Sequence, residues 1–138
     1  MKVLNKVLIA TAAVAFSAST AFAACPVSKG SVRILANDFP ALHAVVDFAE
    51  KCVGGGASFS KNHSTKHNEI QVAAMTANPS EYTTKIVANS SIVPLLNDGL
   101  IRPLDDLVAK HGQSLQSNQL IRIDGKIMAV AFMANAQH

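Results

Sequence analysis

The run from Tyr82 to Gly112 constrains this chain most, because it holds a strand, a turn and two short helices in tandem. Thr83, Thr84, Ile86 and Val87 make Tyr82–Ala88 β-favouring and predict one buried strand. Asn89, Ser90 and Ser91 supply a turn and candidate helix N-caps. Pro94 fits the first turn of the helix that follows, where a missing N–H matters little. Gly99 can end that helix in a left-handed conformation. Arg102-Pro103-Leu104-Asp105-Asp106-Leu107 opens another helix, with both acids near the positive end of its dipole and Gly112 as its stop.

The preceding residues repeat the alternation. Ser31–Ala36 is apolar apart from Arg33, as in a strand buried on both faces of a parallel sheet. Asp38 is the expected N-cap of the next helix and Pro40 lies in its first turn. Leu42, Val45, Val46 and Ala49 recur at helical spacing on one face. Gly54-Gly55-Gly56 lacks the residues of a phosphate-binding loop or dinucleotide fingerprint, so it reads as a turn. Ala57–Lys61 is a short strand. Thr65–Thr76 is a helix with Ile70, Ala73 and Ala74 inward, broken by Asn78-Pro79-Ser80. After a polar connection, Leu120–Phe132 holds two β-rich runs about the hairpin signal Asp124-Gly125. The order β-α-β-α-β-α-α-β-β predicts an α/β domain with a mostly parallel sheet flanked by helices.

The first 23 residues read as a secretory signal peptide. Lys2 and Lys6 form a charged start, Val7–Phe16 is an uncharged apolar run, and Ala21-Phe22-Ala23 is a cleavage site. That apolar core is short for a membrane span. Removing it takes away two lysines and no acid, so the formal charge falls from +3 to +1. A nearly neutral chain offers no electrostatic case for nucleic acid. Export permits a disulfide between the two cysteines. Cys25 precedes the first strand and Cys52 ends the first helix, which runs back antiparallel to that strand, so the two lie at one end of the domain. Phe22-Ala23-Ala24-Cys25 also resembles a lipoprotein acylation site, with Phe22 in place of the usual leucine; the disulfide is the favoured reading.

Gly99-Leu100-Ile101-Arg102-Pro103-Leu104-Asp105-Asp106-Leu107, followed by Asp124-Gly125-Lys126 and Ile127–Met133, resembles the first lobe of bacterial extracellular solute-binding proteins, the ligand-capturing components of ABC importers. The nearest type is the carbohydrate-binding group, and the similarity covers nearly all of the chain after the leader. The resemblance implies a periplasmic binding protein rather than an enzyme. Its solute is a small polar molecule, a carbohydrate in the nearest type, and its partner is an ABC permease in the inner membrane. It implies no cofactor. Residues 24–138 then form the N-terminal lobe of a two-lobed fold, cut at the hinge, with the second lobe missing.

In open α/β sheets ligands bind beyond the carboxyl ends of the strands. That rule selects Asn37 and Asp38 after the first strand, Asn89, Ser90 and Ser91 after the third, and Asn135 and Gln137 at the expected hinge. Phe39, Tyr82 and Phe132 are the aromatics near useful positions. The reading needs these loops on one rim, and Ile127–Met133 in the central layer. Two other function classes compete with it. His63 and His67, spaced i, i+4, suggest a metal-binding protein if both lie on one helix, although zinc needs a third ligand. A small secreted enzyme would need a nucleophile and base, and no Gly-x-Ser-x-Gly or His-Glu-x-x-His occurs.

Overall fold

The computed structural model describes residues 27–134. The signal-peptide reading of residues 1–23, Cys25, Asn135 and Gln137 lie outside them. The element order is β1 (Gly30–Ala36), α1 (Pro40–Glu50), β2 (Ala57–His63), α2 (His67–Thr76), β3 (Thr84–Lys85), α3 (Asn89–Asn97), α4 (Asp105–His111), a 3-10 turn (Ser117–Gln119), β4 (Leu120–Ile123) and β5 (Lys126–Val130). The expected alternation is present throughout.

β1 is the centre of a three-stranded parallel sheet in the order β2-β1-β3. Its residues alternate between two buried faces. Ile34 and Ala36 pack with Leu42 and Val46 of α1, flanked by Val32, Phe39, Phe59 and Ile86. Leu35 faces the other way and is fully buried, on the side where α2 and α3 pack together. Helices thus cover both faces, as a buried parallel strand requires. The one charge within β1, Arg33, is satisfied by backbone. Its Nε donates to Glu81 O at 2.7 Å and its Nη2 to Ser80 O at 2.8 Å, which ties the turn after α2 to the central strand.

β3 is much shorter than expected. Only Thr84 and Lys85 pair as strand, and no residue of Tyr82–Ala88 is fully buried. The segment is held instead by separate bonds: Thr83 N–H to Arg33 O, Thr83 Oγ1 with the Arg33 backbone, and Ile86 N–H to Leu35 O. The β-favouring composition located the strand but overstated its length and burial, and nothing among the described residues pairs with the outer edge of β3.

Helix starts also differ from expectation. The N-cap of α1 is Phe39, which is extended and whose carbonyl accepts from Leu42 and His43. Asp38 turns its carboxylate to His43 instead. α3 begins at Asn89 with Ala88 as N-cap, so Pro94 falls inside the helix rather than in its first turn. The carbonyl four residues earlier, on exposed Ser90, therefore receives no N–H from position 94. Ala73 and Val45 are exposed, while His67 and Gln71 take inward positions on α2. Gly99 does end α3 in the left-handed region at φ 63°. Its N–H reaches Leu96 O and that of Leu100 reaches Leu95 O, which closes a Schellman motif.

β4 and β5 form the expected antiparallel hairpin about Asp124 and Gly125, both at positive φ. They make a separate two-stranded sheet, so Ile127–Met133 is not in the central layer. The hairpin docks on α4, where Leu104 N–H donates to Ile127 O at 2.7 Å.

At the opposite end of the sheet, Val27 and Val53 form a parallel bridge. Gly54 N–H donates to Val27 O at 2.8 Å, and a Cβ on Gly56 would lie 2.3 Å from Ser28 O. The triple glycine therefore acts as a turn whose last residue passes too close to a neighbouring backbone for a side chain. Cys52 is disulfide-bonded.

Candidate functional site

The three strands are parallel and nearly in register, with Ala36 opposite His63 and Leu35 opposite Lys85. Their carboxyl ends therefore share one rim, and α1, α2 and α3 each begin there. The chain leaves β1 toward β2 on one side and returns to β3 on the other. The gap between the ends of β1 and β3 is thus the point where strand order reverses, the usual ligand position in such sheets.

Asn37 and Asp38 stand on this rim as expected. Asn37 Oδ1 accepts from the Asp38 N–H at 2.8 Å, and Asp38 Oδ1 accepts from His43 Nε2 at 2.7 Å. His43 stacks on His63, with ring centroids 4.0 Å apart and 19° between planes. His63 Nδ1 donates to Asn37 O at 3.1 Å, which leaves the buried Nε2 without a hydrogen-bond partner. Asp38, Phe39, Pro40, His43, Ala44 and Asp47 line an open depression beside this group.

Asn89 and Ser90 are exposed at the start of α3, on the same rim. Ser91 is not available to a ligand. It is buried, and its Oγ accepts from Ala88 N–H and donates to Ala88 O. Tyr82 is held by Asn62, which donates to its hydroxyl at 2.7 Å. Phe39 packs against the core and Phe132 is about half exposed near the hairpin.

Sequence reasoning missed the other half of the rim. His67, the first residue of α2, is buried, and its Nδ1 meets Lys85 Nζ at the end of β3. Burial, and next the Lys85 charge, hold the His67 imidazole below its usual value. Burial lowers Lys85 to about 8. One helical turn along α2, the fully buried Gln71 donates from Nε2 to Ser91 O, while its Oε1 has no partner. A lysine in the middle of the β-favouring run Tyr82–Ala88 was the available signal for this cluster. Its partner eighteen residues earlier was not visible in any local pattern.

The metal reading loses its premise. His63 ends β2 rather than lying on α2, so it does not share a helical face with His67. The two rings have different partners, and no group of three or more His, Cys, Asp or Glu side chains gathers for a metal among the described residues. Nor is any helix among them long and apolar enough to cross a membrane. No family model, curated protein or solved structure matches the chain.

Proposed function

We propose that this chain is the first lobe of an exported solute-binding protein, a binding protein rather than an enzyme, serving an ABC importer in the periplasm. One observation carries the reading. The parallel order β2-β1-β3 brings Asn37, Asp38, Asn89 and Ser90 to one rim, beside the reversal of strand order. The hairpin lies apart from that sheet, so the expected place of Ile127–Met133 in the central layer is not met and counts against the two-lobe reading, which rests on the rim alone. Asn135 and Gln137 remain part of the proposal as hinge residues.

The mechanism follows from polar loops at strand ends. Solute hydroxyls pair with amide, hydroxyl and carboxylate groups, because a buried polar group left unpaired costs about 1–3 kcal/mol. A second lobe closing over the solute completes the contacts, and the closed form docks on its permease. Solute shifts that balance only by its differential affinity for the open and closed forms.

The test is to titrate the chain with sugars and polyols and follow backbone amides by NMR. Weak binding, with shifts gathered at Asn37, Asp38, Asn89 and Ser90, is the expected result. Nanomolar binding by this chain alone, or shifts gathered at the hairpin, contradicts it.

A further inference from the structure

We propose that the solute captured at this rim bears an oxyanion, a carboxylate or a phosphate, and that Lys85 holds it. This rests on the solute-binding reading above.

Lys85 stands on the rim itself. It closes β3 in register with Leu35, so its side chain leaves the sheet on the α2 face, beside the reversal of strand order. It is half-buried, and no carboxylate among the described residues pairs with it. Lys61 has Asp47 and Glu50, Arg122 has Asp105, and His43 has Asp38. Lys29, Lys51, Lys66, Lys110 and Lys126 also lack an acid among the described residues, but unlike Lys85 they are exposed to water. A cation withdrawn from water without an anion is unfavourable, and an arriving oxyanion relieves that.

His67, its partner among the described residues, cannot do so. The ammonium donates to His67 Nδ1, which requires a neutral imidazole with its proton on Nε2. Burial and the lysine charge both keep His67 neutral. The pair thus offers donors and no negative charge. Acids near the rim are committed or outward: Asp38 accepts from His43, and Glu69 in the first turn of α2 is exposed. The positive ends of α2 and α3 open on the same rim and add to the attraction.

A second unmet group lies close by. Gln71 Oε1 is buried without a donor, in an amide already bonded to the first turn of α3. Gln71 is as buried as Ser91 and out of a solute's reach, so it sets no requirement on the ligand; the polyol reading above, joined to an oxyanion at Lys85, describes a sugar acid or sugar phosphate.

The test compares D-glucose, D-glucuronate and D-glucose 6-phosphate on the whole chain by NMR, following the His67 ring and the Asn89 and Ser90 amides. At least one charged sugar is expected to bind at least about tenfold more tightly than glucose, the worth of one charge-assisted bond. Whichever binds more tightly identifies the carboxylate or the phosphate. Lys85→Met should erase the advantage and Lys85→Arg should keep it. If Lys85→Met does not fold, Lys85→Gln takes its place. Glucose matching both charged sugars at the rim overturns the oxyanion and leaves solute binding standing, as does an advantage that survives loss of the Lys85 charge. No response at the rim to any of the three overturns both.

Discussion

The Asp105 carboxylate accepts the backbone N–H of Ile127, with 3.1 Å from Oδ2 to the amide nitrogen. Together with the bond from Leu104 N–H to Ile127 O, it clamps one residue of β5 to the start of α4. Ile127 is the buried residue of that hairpin, and α4 has no fully buried residue of its own. Asp105→Ala should therefore release the hairpin from α4. Leaving the Ile127 amide unpaired should destabilise by about 1–3 kcal/mol. Faster hydrogen exchange at Ile127 checks this, with the neighbouring exposed Asp106→Ala as a near-neutral control.

Lys85 should make the protein more stable as the solution becomes alkaline. Its folded value, about 8, lies below the ordinary 10.5 because of burial. Between those values the unfolded chain binds the proton that the folded chain has lost, so its contribution to stability rises with pH across that window. Lys61 has the opposite sign. Bonding to Asp47 and Glu50 raises it above 10.5, so its contribution holds below 10.5 and is lost as pH passes its raised value. Urea unfolding from pH 7 to 10 should show the rise, and Lys85→Met should flatten it while adding stability at pH 7.

Element order was legible in the sequence because each element carries its own period or punctuation. Ser31–Ala36 is apolar apart from Arg33, Leu42 and Val46 sit one helical turn apart, and Asp124-Gly125 marks a tight hairpin. What was not legible depends on partners distant in sequence. Arg33 looked like a break in a buried strand, yet the carbonyls of Ser80 and Glu81 satisfy it. Asp38 had the chemistry of a cap but met a histidine. The hairpin was assigned to the central sheet because its apolar content fits a buried strand, and hydrophobicity does not specify which layer buries it. Asn37, Asp38, Asn89 and Ser90 were placed on one rim by a topological rule, whereas His67 and Lys85 needed coordinates.

Two glycines should respond differently to alanine. Gly99 has φ 63° with nothing within 4 Å of an added Cβ, so only backbone strain opposes the change. Gly99→Ala should cost about 1–2 kcal/mol. At Gly56 the added Cβ would meet a backbone oxygen at 2.3 Å, and the strand start must shift. Gly56→Ala should destabilise more, and it should also loosen the Val27–Val53 bridge. Thermal melts rank the two, and hydrogen exchange at Gly54, whose N–H bonds to Val27, reports the bridge.

The acid limb of stability should depend on Lys61. It bonds Asp47 at 2.6 Å and Glu50 at 2.7 Å, pinning α1 to β2. The Lys61 hydrogen bond, above all, holds Asp47 below its ordinary 3.8. The Asp47 contribution is present above 3.8 and is lost as pH falls through its lowered value. In Lys61→Met, NMR titration should return the Asp47 carboxyl toward its ordinary value, and that part of the acid dependence should vanish. An Asp47 carboxyl that stays low in the variant assigns the shift to another cause.

A disulfide lies at the end of the sheet opposite the rim. Cys52 is disulfide-bonded, and Val53 beside it bridges to Val27, two residues beyond Cys25 in sequence. That bridge brings the chain following Cys25 close to Cys52, which favours these two cysteines as the pair. Joining them encloses β1 and α1 in one covalent loop. In the chain-entropy picture such a loop stabilises by about 3–4 kcal/mol by restricting the unfolded chain. Cys25→Ser and Cys52→Ser should each lose that amount, and the double variant should lose no more than either alone. Lipid attachment at Cys25 predicts a different pattern. Intact mass would then carry an acyl group, and a stability loss on Cys52→Ser would not be matched by Cys25→Ser. The two singles and the double, measured by urea unfolding and by mass, separate the outcomes.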